Sequence, residues 1–300
     1  MKISRRKFAA VVVTLIGGIP FSCVSLGKGK FKPIRFGIVT DAHYADRTVP
    51  DNSSRYYNES LSKMSECVNL MNKQGVDFLI ELGDFKDQGD PPKEAETLTF
   101  LDSIEKEFRR FNSPCYHVLG NRDHDSISKQ QFLSRISNEG FAKASNYYSF
   151  NNNSFHFIVL DANYSSNGTA YDHGNFEWTD SHIPEVQLDW LRNDLNQNKV
   201  PTIVFIHQRL DSFSADKQFC PNNADTVRKI LEDAGNVAIV FQGHEHKGDL
   251  TKLNNIYYYT LKGLIEGSGP ENNSYCIVEI GADRVIRITG FRKVDSIELK

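Results

Sequence analysis

The chain has 300 residues, 39% of them apolar and 24% charged, a balance that excludes both a disordered chain and a polytopic membrane protein. Its net charge of −3 hides an asymmetry: the first thirty residues hold six bases and no acid, so the other 270 carry 29 bases against 38 acids, or −9. Such a body lacks the basic face whose counterion release drives nucleic-acid binding. An anionic substrate must then be attracted by something local, and a metal cluster suffices.

Lys2–Lys7 form a positive leader to Phe8–Ile19, an apolar run of twelve. That is well short of the roughly 20 residues a membrane-spanning helix needs, so residues 1–23 read as a signal peptide. Ser4-Arg5-Arg6-Lys7-Phe8 resembles a twin-arginine export signal, and an ordinary secretory signal with adjacent arginines fits equally. Pro20-Phe21-Ser22-Cys23 resembles a loose lipobox, with Pro20 in place of the usual leucine. Acylation at Cys23 would make residues 24–32 a short tether, giving an exported protein of the periplasm or cell envelope that touches membrane only through a lipid anchor. Cys67, Cys115, Cys220 and Cys276 match no metal-binding spacing, and an oxidising compartment would permit any of three full disulfide pairings.

From residue 33 onward the pattern alternates. Ile34–Thr40 is a short β-branched run that reads as a buried strand. Tyr56–Asn72 places Leu61, Met64, Val68 and Met71 on one helical stripe. Val76–Leu82 is a second strand, Lys93–Phe111 a helix carrying Leu98, Leu101, Ile104 and Phe108, and Tyr116–Leu119 a third strand. Tyr147–Phe150 and Ser154–Leu160 read as a hairpin across Asn151-Asn152-Asn153. Pro184 sits near the first turn of a helix with Leu188, Leu191 and Leu195 on its buried face. Thr202–Ile206 and Val237–Phe241 are strands separated by a helix over Asp225–Ala234. Ile256–Thr260, Tyr275–Ile280 and Val285–Phe291 have no helix between them and are expected to be antiparallel. With no repeat and no linker after residue 33, the pattern predicts one domain over residues 33–300. Its class is α/β: two mixed sheets flanked by helices, a four-layer α/β/β/α sandwich.

Five short clusters each follow a predicted strand: Asp41-Ala42-His43, Gly83-Asp84-Phe85-Lys86-Asp87, Gly120-Asn121-Arg122-Asp123, His207, and Gly243-His244-Glu245-His246. Ligands in α/β sheets bind at the carboxyl ends of strands, so these clusters are expected to share one crevice. Each is weak alone, because a single His or Asp is more often a cap or a hydrogen-bonded residue. Together they offer imidazole, carboxylate and amide donors on rigid turns, a set that suits Mn, Fe or Zn.

This ordered set resembles the calcineurin-like metallophosphoesterases, whose pattern is D-x-H, G-D-x-x-D, G-N-H-[DE], H, G-H-x-H. The resemblance spans roughly residues 34–290. It implies two metal ions, the first held by Asp41, His43, Asp84 and His246, the second by Asp84, Asn121, His207 and His244. Two such ions, roughly 3.5–4 Å apart, would activate a bridging hydroxide for in-line attack on phosphorus. Beyond the metal motifs, Arg55-Tyr56-Tyr57, Phe157–Ala162, Gln187–Leu191 and Gly263–Glu266 are most similar to the manganese-dependent ADP-ribose/CDP-alcohol diphosphatases. That points to a phosphodiester or pyrophosphate bond in a small substrate of nucleotide-diphosphate type. Cys220, followed by Asn222, matches a pocket-side cysteine and asparagine of that subgroup, or is simply a loop cysteine.

Arg122 departs from the superfamily, which usually has histidine there. Arginine cannot give up a proton near neutral pH, but it clamps phosphate oxygens and stabilises developing charge. The same G-N-R-D string in UDP-2,3-diacylglucosamine pyrophosphohydrolases adds lipid-linked pyrophosphate cleavage as an alternative, beside an exported phosphomonoesterase. A salt bridge to Asp123, or a place at a helix terminus, is the purely structural role open to Arg122. His124 is a candidate replacement acid. Asp87 and Asp123 are expected to orient ligand imidazoles, and Tyr44 and Asp46 to line the pocket. A scaffold that had lost its metals would be expected to lose ligands, and all seven are present. Oligomeric state leaves no mark in the sequence.

Overall fold

The computed structural model describes residues 31–48 and 52–300. The expected signal peptide, the Cys23 lipid site and most of the tether lie outside those residues.

Short apolar runs become central strands because both their faces are covered. Ile34–Val39 (β1) lies parallel to Phe78–Glu81 (β2), and β2 lies parallel to Cys115–His117 (β3). On the other side of β1 runs Ser274–Ile280 (β10), antiparallel, followed by Ile286–Arg292 (β11) and Ile297–Leu299 (β12). The first sheet therefore has the order β12-β11-β10-β1-β2-β3. The second contains Tyr148–Asn152 (β4), Phe155–Val159 (β5), Thr202–Phe205 (β6), Val237–Gln242 (β7), Asp249–Leu253 (β8) and Ile256–Thr260 (β9). Its order is β4-β5-β6-β7-β9-β8.

Three apolar layers set the stacking. Between the sheets, Phe36 of β1 stacks on Phe78 at 4.8 Å and meets Phe157, Phe205 and Phe241 edge-on at 5.6–6.0 Å. Burying one such ring is worth about 1.5–3 kcal/mol. Outside the first sheet lie Ser60–Gln74 (α1), Glu94–Phe108 (α2) and Lys129–Arg135 (α3), whose Met64, Leu101 and Phe132 pack on Leu79 and Ile277. Outside the second lie Glu185–Gln197 (α4) and Ala224–Ala234 (α5), whose Leu188, Leu191, Val227 and Leu231 pack on Val204 and Val240. The result is the α/β/β/α sandwich expected from the sequence.

Two expectations are corrected. Ile256–Thr260 does not pair with Tyr275–Ile280; it lies parallel to β7 in the second sheet. The hairpin from β8 across Asn254-Asn255 reverses the chain, so no helix is needed to bring β9 in parallel. The short helix α3 was also missed, although Ser128 and Gln131 form a reciprocal cap at its start. The four cysteines of the described residues are buried free thiols.

Candidate metal centre

Four of the expected ligands sit where the backbone is left-handed: Asp41 (φ 52°), His43 (φ 46°), Asp84 (φ 52°) and His244 (φ 69°). Few non-glycine residues adopt this conformation, and it persists only where surrounding contacts over-determine it. Here those contacts lie between turns. Asp41 N–H donates to Gly83 O, His43 N–H to Asp84 O, and His244 N–H to the Asp41 carboxylate. A Cβ on Gly120 would lie 2.0 Å from Asp84 N, so only glycine lets the third turn press against the second.

The turns gather two groups of donors. One ligand atom from each of Asp41, His43 and His246 lies within 4.8 Å of the others, as does one from each of Asp84, His207 and His244. Asp84 Oδ2 joins the groups, standing 3.4 Å from His43 Nε2 and 3.4 Å from His207 Nε2. Asn121 Oδ1 lies 3.2 Å from His207 Nε2.

The donor chemistry fits a pair of cations. His43 Nδ1 faces Asp87 Oδ2 at 3.2 Å and His246 Nδ1 faces Glu266 Oε1 at 2.5 Å, so each carboxylate takes an N–H and leaves Nε2 as the lone-pair atom. Those two Nε2 atoms then face each other at 3.2 Å. His207 likewise gives Nδ1–H to Leu82 O. His244 Nε2 is buried without a partner. Burial and the neighbouring His207 push His244 down to about 3, so it stays neutral. Burial opposes charge on His43 and His207 too, but Asp84 and Asp41, with Asp87 at His43 and the Leu82 carbonyl at His207, together outweigh it and raise them to about 9 and about 10. The site thus demands positive charge, which a bound cation supplies in place of protons.

A family model described as calcineurin-like phosphoesterase matches residues 34–248. The chain belongs to that family. It is accordingly a metallophosphoesterase, a hydrolase of phosphoester or phosphoanhydride bonds. It is 26% identical over 302 residues to a manganese-dependent ADP-ribose/CDP-alcohol diphosphatase of Oryza sativa subsp. japonica, covering 87% of this chain and 92% of the relative. To a protein of the same name from Arabidopsis thaliana it is 25% identical over 317 residues, covering 92% of this chain and all of the relative. Among solved structures it is similar to a dimetal phosphatase from Danio rerio (TM-score 0.75, 21% identity, 88% of this chain and 98% of that one). A purple acid phosphatase from yellow lupin matches with TM-score 0.58 and 13% identity, over 89% of this chain and 53% of that one. At these identities the two structures bear on the fold.

In this metallophosphoesterase a cavity of about 220 Å³ opens over the donors. Arg122 lines it, and the Asp123 carboxylate is taken up by backbone N–H groups instead of the Arg122 guanidinium. Arg55, Trp178 and Phe219 line it as well, and none of these three was assigned a site role from the sequence. Trp178 and Phe219 stand edge-on to His244 at 5.5 and 5.4 Å. Glu266 was also missed as the partner of His246. The only signal for Arg55 and Glu266 was their place in the diphosphatase-like segments.

Several assignments change. Asp123 orients no imidazole; it accepts the backbone N–H groups of Asp84, Phe85 and Gly120 at 2.8–3.1 Å, lacing the second and third turns together. Asp87 does orient His43. His124 is fully buried against Phe132 with both ring nitrogens unpartnered, and it is not among the residues lining the cavity. Tyr44 turns from the cavity to pack edge-on against Phe100, and Asp46 is exposed outside it. Cys220 lines a separate pocket of about 370 Å³, while its neighbour Phe219 faces the donors.

Proposed function

We propose that this metallophosphoesterase hydrolyses the pyrophosphate or phosphodiester bond of a small nucleotide-diphosphate substrate, such as ADP-ribose or a CDP-alcohol, with manganese. Asp41, His43, Asp84 and His246 would hold one ion, and Asp84, Asn121, His207 and His244 the other. The observation that carries this reading is the single oxygen, Asp84 Oδ2, placed 3.4 Å from an imidazole nitrogen of each group. The substrate class is supported by the near full-length likeness to the two plant diphosphatases.

Bound there, the ions supply Lewis-acid charge to phosphoryl oxygens and lower the pKa of water. The chain's own residues do the rest. Asp87 and Glu266 fix the rings of His43 and His246, so their lone pairs stay aimed inward. Arg122 presents a planar fork to non-bridging oxygens and draws off charge as the leaving group departs. Trp178 and Phe219 wall the cavity with apolar surface, strengthening the electrostatics inside.

Export to the cell envelope, with a lipid on Cys23, is proposed from Lys2–Ile19 and Pro20–Cys23. Intact mass of the mature protein tests it: a diacylglyceryl-bearing N-terminal Cys23 supports the anchor, and an unmodified chain retaining residues 1–23 refutes it.

The function is tested by metal analysis and a substrate panel. The expected results are about two ions per chain and hydrolysis of ADP-ribose or CDP-choline ahead of an aryl monophosphate and a cyclic nucleotide. A preference for the aryl monophosphate overturns the diphosphatase reading in favour of a phosphomonoesterase.

A further inference from the structure

A second, larger groove of about 670 Å³ adjoins the metal cavity. The two share Arg55, Phe219, His244 and His246, so the groove opens directly from the reacting centre. Lys247, Lys262 and Lys293 line it. They arrive from three separate stretches of chain: Lys247 directly follows His246, Lys262 follows β9, and Lys293 follows β11. Gly248 leaves room for the Lys262 stem, since a Cβ there would lie 2.7 Å from Lys262 Cγ.

The acids of the groove are already committed. Glu245 is bound by the buried guanidinium of Arg209. Glu266 takes His246 Nδ1–H. Asp216 caps the short turn Lys217–Phe219, accepting from Gln218 N–H at 3.2 Å and from its amide at 2.8 Å. The ammonium groups are less committed. Lys293 Nζ donates to Glu266 O at 2.7 Å, and Lys262 Nζ donates to Lys293 O at 2.8 Å and to exposed Asp295 at 3.3 Å. Each ammonium has three protons to donate, so donors remain for a ligand. Burial, with Lys63 and Lys262 close by, pulls Lys293 down to about 8 against the opposing pull of Glu266 and Asp41, so burial and the cations outweigh the anions around it.

We propose that this groove is a second anion subsite, in which Lys262 and Lys293, with Lys247 at the mouth, hold the phosphoryl group adjacent to the one placed over the metal centre. The inference deepens the diphosphatase reading and rests on it. A diphosphate has a neighbouring phosphoryl to place in the groove, whereas a simple diester or monoester has none. Ammonium groups act as point charges tolerant of orientation, which suits a phosphoryl group that must leave with its nucleoside or alcohol.

The test compares wild type with Lys262→Met and Lys293→Met at fixed free manganese. One readout is the ratio of kcat/KM on ADP-ribose to that on bis(p-nitrophenyl) phosphate. It is expected to fall about tenfold or more in each variant, mostly through KM, because a charge-assisted contact to the second phosphoryl is lost. The other readout is inhibition of bis(p-nitrophenyl) phosphate hydrolysis by ADP and by AMP. Wild type is expected to bind ADP the more tightly, and the variants to narrow that gap. Equal inhibition by ADP and AMP in wild type, or an unchanged ratio in both variants, overturns the subsite. Should wild type ignore ADP-ribose and CDP-choline yet keep the ADP–AMP gap that the variants close, the subsite stands and the diphosphatase reading falls.

Discussion

The backbone N–H of Arg122 donates to Asp84 Oδ1 at 2.7 Å. That bond fixes the carboxylate so that its other oxygen faces both donor groups at once. Asp84→Asn keeps the acceptor for Arg122 but turns an NH₂ toward the ions. The expected outcome is that both ions are lost together while the fold survives. Even residues that merely orient a ligand cost about 10–100-fold when removed, so a shared ligand should cost more than 100-fold in activity. Metal analysis beside thermal unfolding checks this, and full occupancy of either site in the variant refutes the bridging role.

Glu266 accepts from His246 Nδ1 at 2.5 Å and also lies 3.6 Å from the Arg55 guanidinium. His246 holds this carboxyl low, at about 2, so it is ionised throughout the working range. Glu266→Ala frees the ring to rotate and is expected to weaken manganese affinity about 10–100-fold. Glu266→Gln, which can still accept the N–H, should lose less. Titrating manganese into the metal-free variants while following activity measures both.

The motifs were legible because each is local: a strand end, a tight turn and one or two donors within three residues. What the sequence could not show is which residues long-range packing brings to them. Glu266 reaches His246 only because Gly263 and Leu264 run back against the first and last turns, with Gly263 N–H on His246 O and Leu264 N–H on Thr40 O. Trp178 arrives from an irregular stretch with no periodicity to read. Cys220 and Phe219 are adjacent in sequence yet face different pockets, and adjacency cannot say which side of the chain turns inward. The misplacement of β9 has the same origin, since a hairpin and a crossover return a chain in opposite senses.

Metal removal should expose a pH dependence. In the folded, metal-free protein the surrounding carboxylates, Asp84 foremost, together overcome burial and raise His43 to about 9 and His207 to about 10, against an ordinary 6.5. A group whose pKa rises on folding stabilises fully below its unfolded value and loses that contribution as pH climbs through the folded one. Asp41 and Asp84 are held low and contribute steadily over this window. Bound ions displace the imidazole protons and remove the effect. The Tm of metal-free protein is therefore expected to fall more steeply from about pH 7 to about pH 10 than that of manganese-loaded protein. Scanning fluorimetry across this range measures the gap, and a constant gap contradicts the assignment.

Lys86 is fully buried beneath the third turn. Its ammonium contacts the Asp125 carboxylate and the carbonyls of Arg122 (2.6 Å) and Asp125 (3.2 Å). Removing one partner of a buried ion pair costs about 3–5 kcal/mol, because the other is left uncompensated. Lys86→Met is expected to destabilise by that amount in denaturant unfolding. The double variant Lys86→Met/Asp125→Leu should recover much of the loss, since paired apolar replacement is often nearly neutral.

Arg122 lines the cavity at the position where the family usually carries histidine. Its backbone already serves Asp84, so the side chain can be removed without disturbing that bond. Arg122→Ala is therefore expected to leave metal content unchanged. Activity should nevertheless fall roughly 100–1,000-fold in kcat, the cost of losing one donor aimed at transition-state charge. Arg122→Lys keeps the charge but not the fork, and should fall between the two. Because arginine does not deprotonate near neutrality, Arg122→Ala should leave the shape of the pH–rate profile as it was. Loss of a basic limb in the variant would mean that Arg122 sets the ionisation of another group. A change in kcat/KM of less than about threefold, roughly 0.7 kcal/mol, would mean that it stabilises no transition-state charge at all.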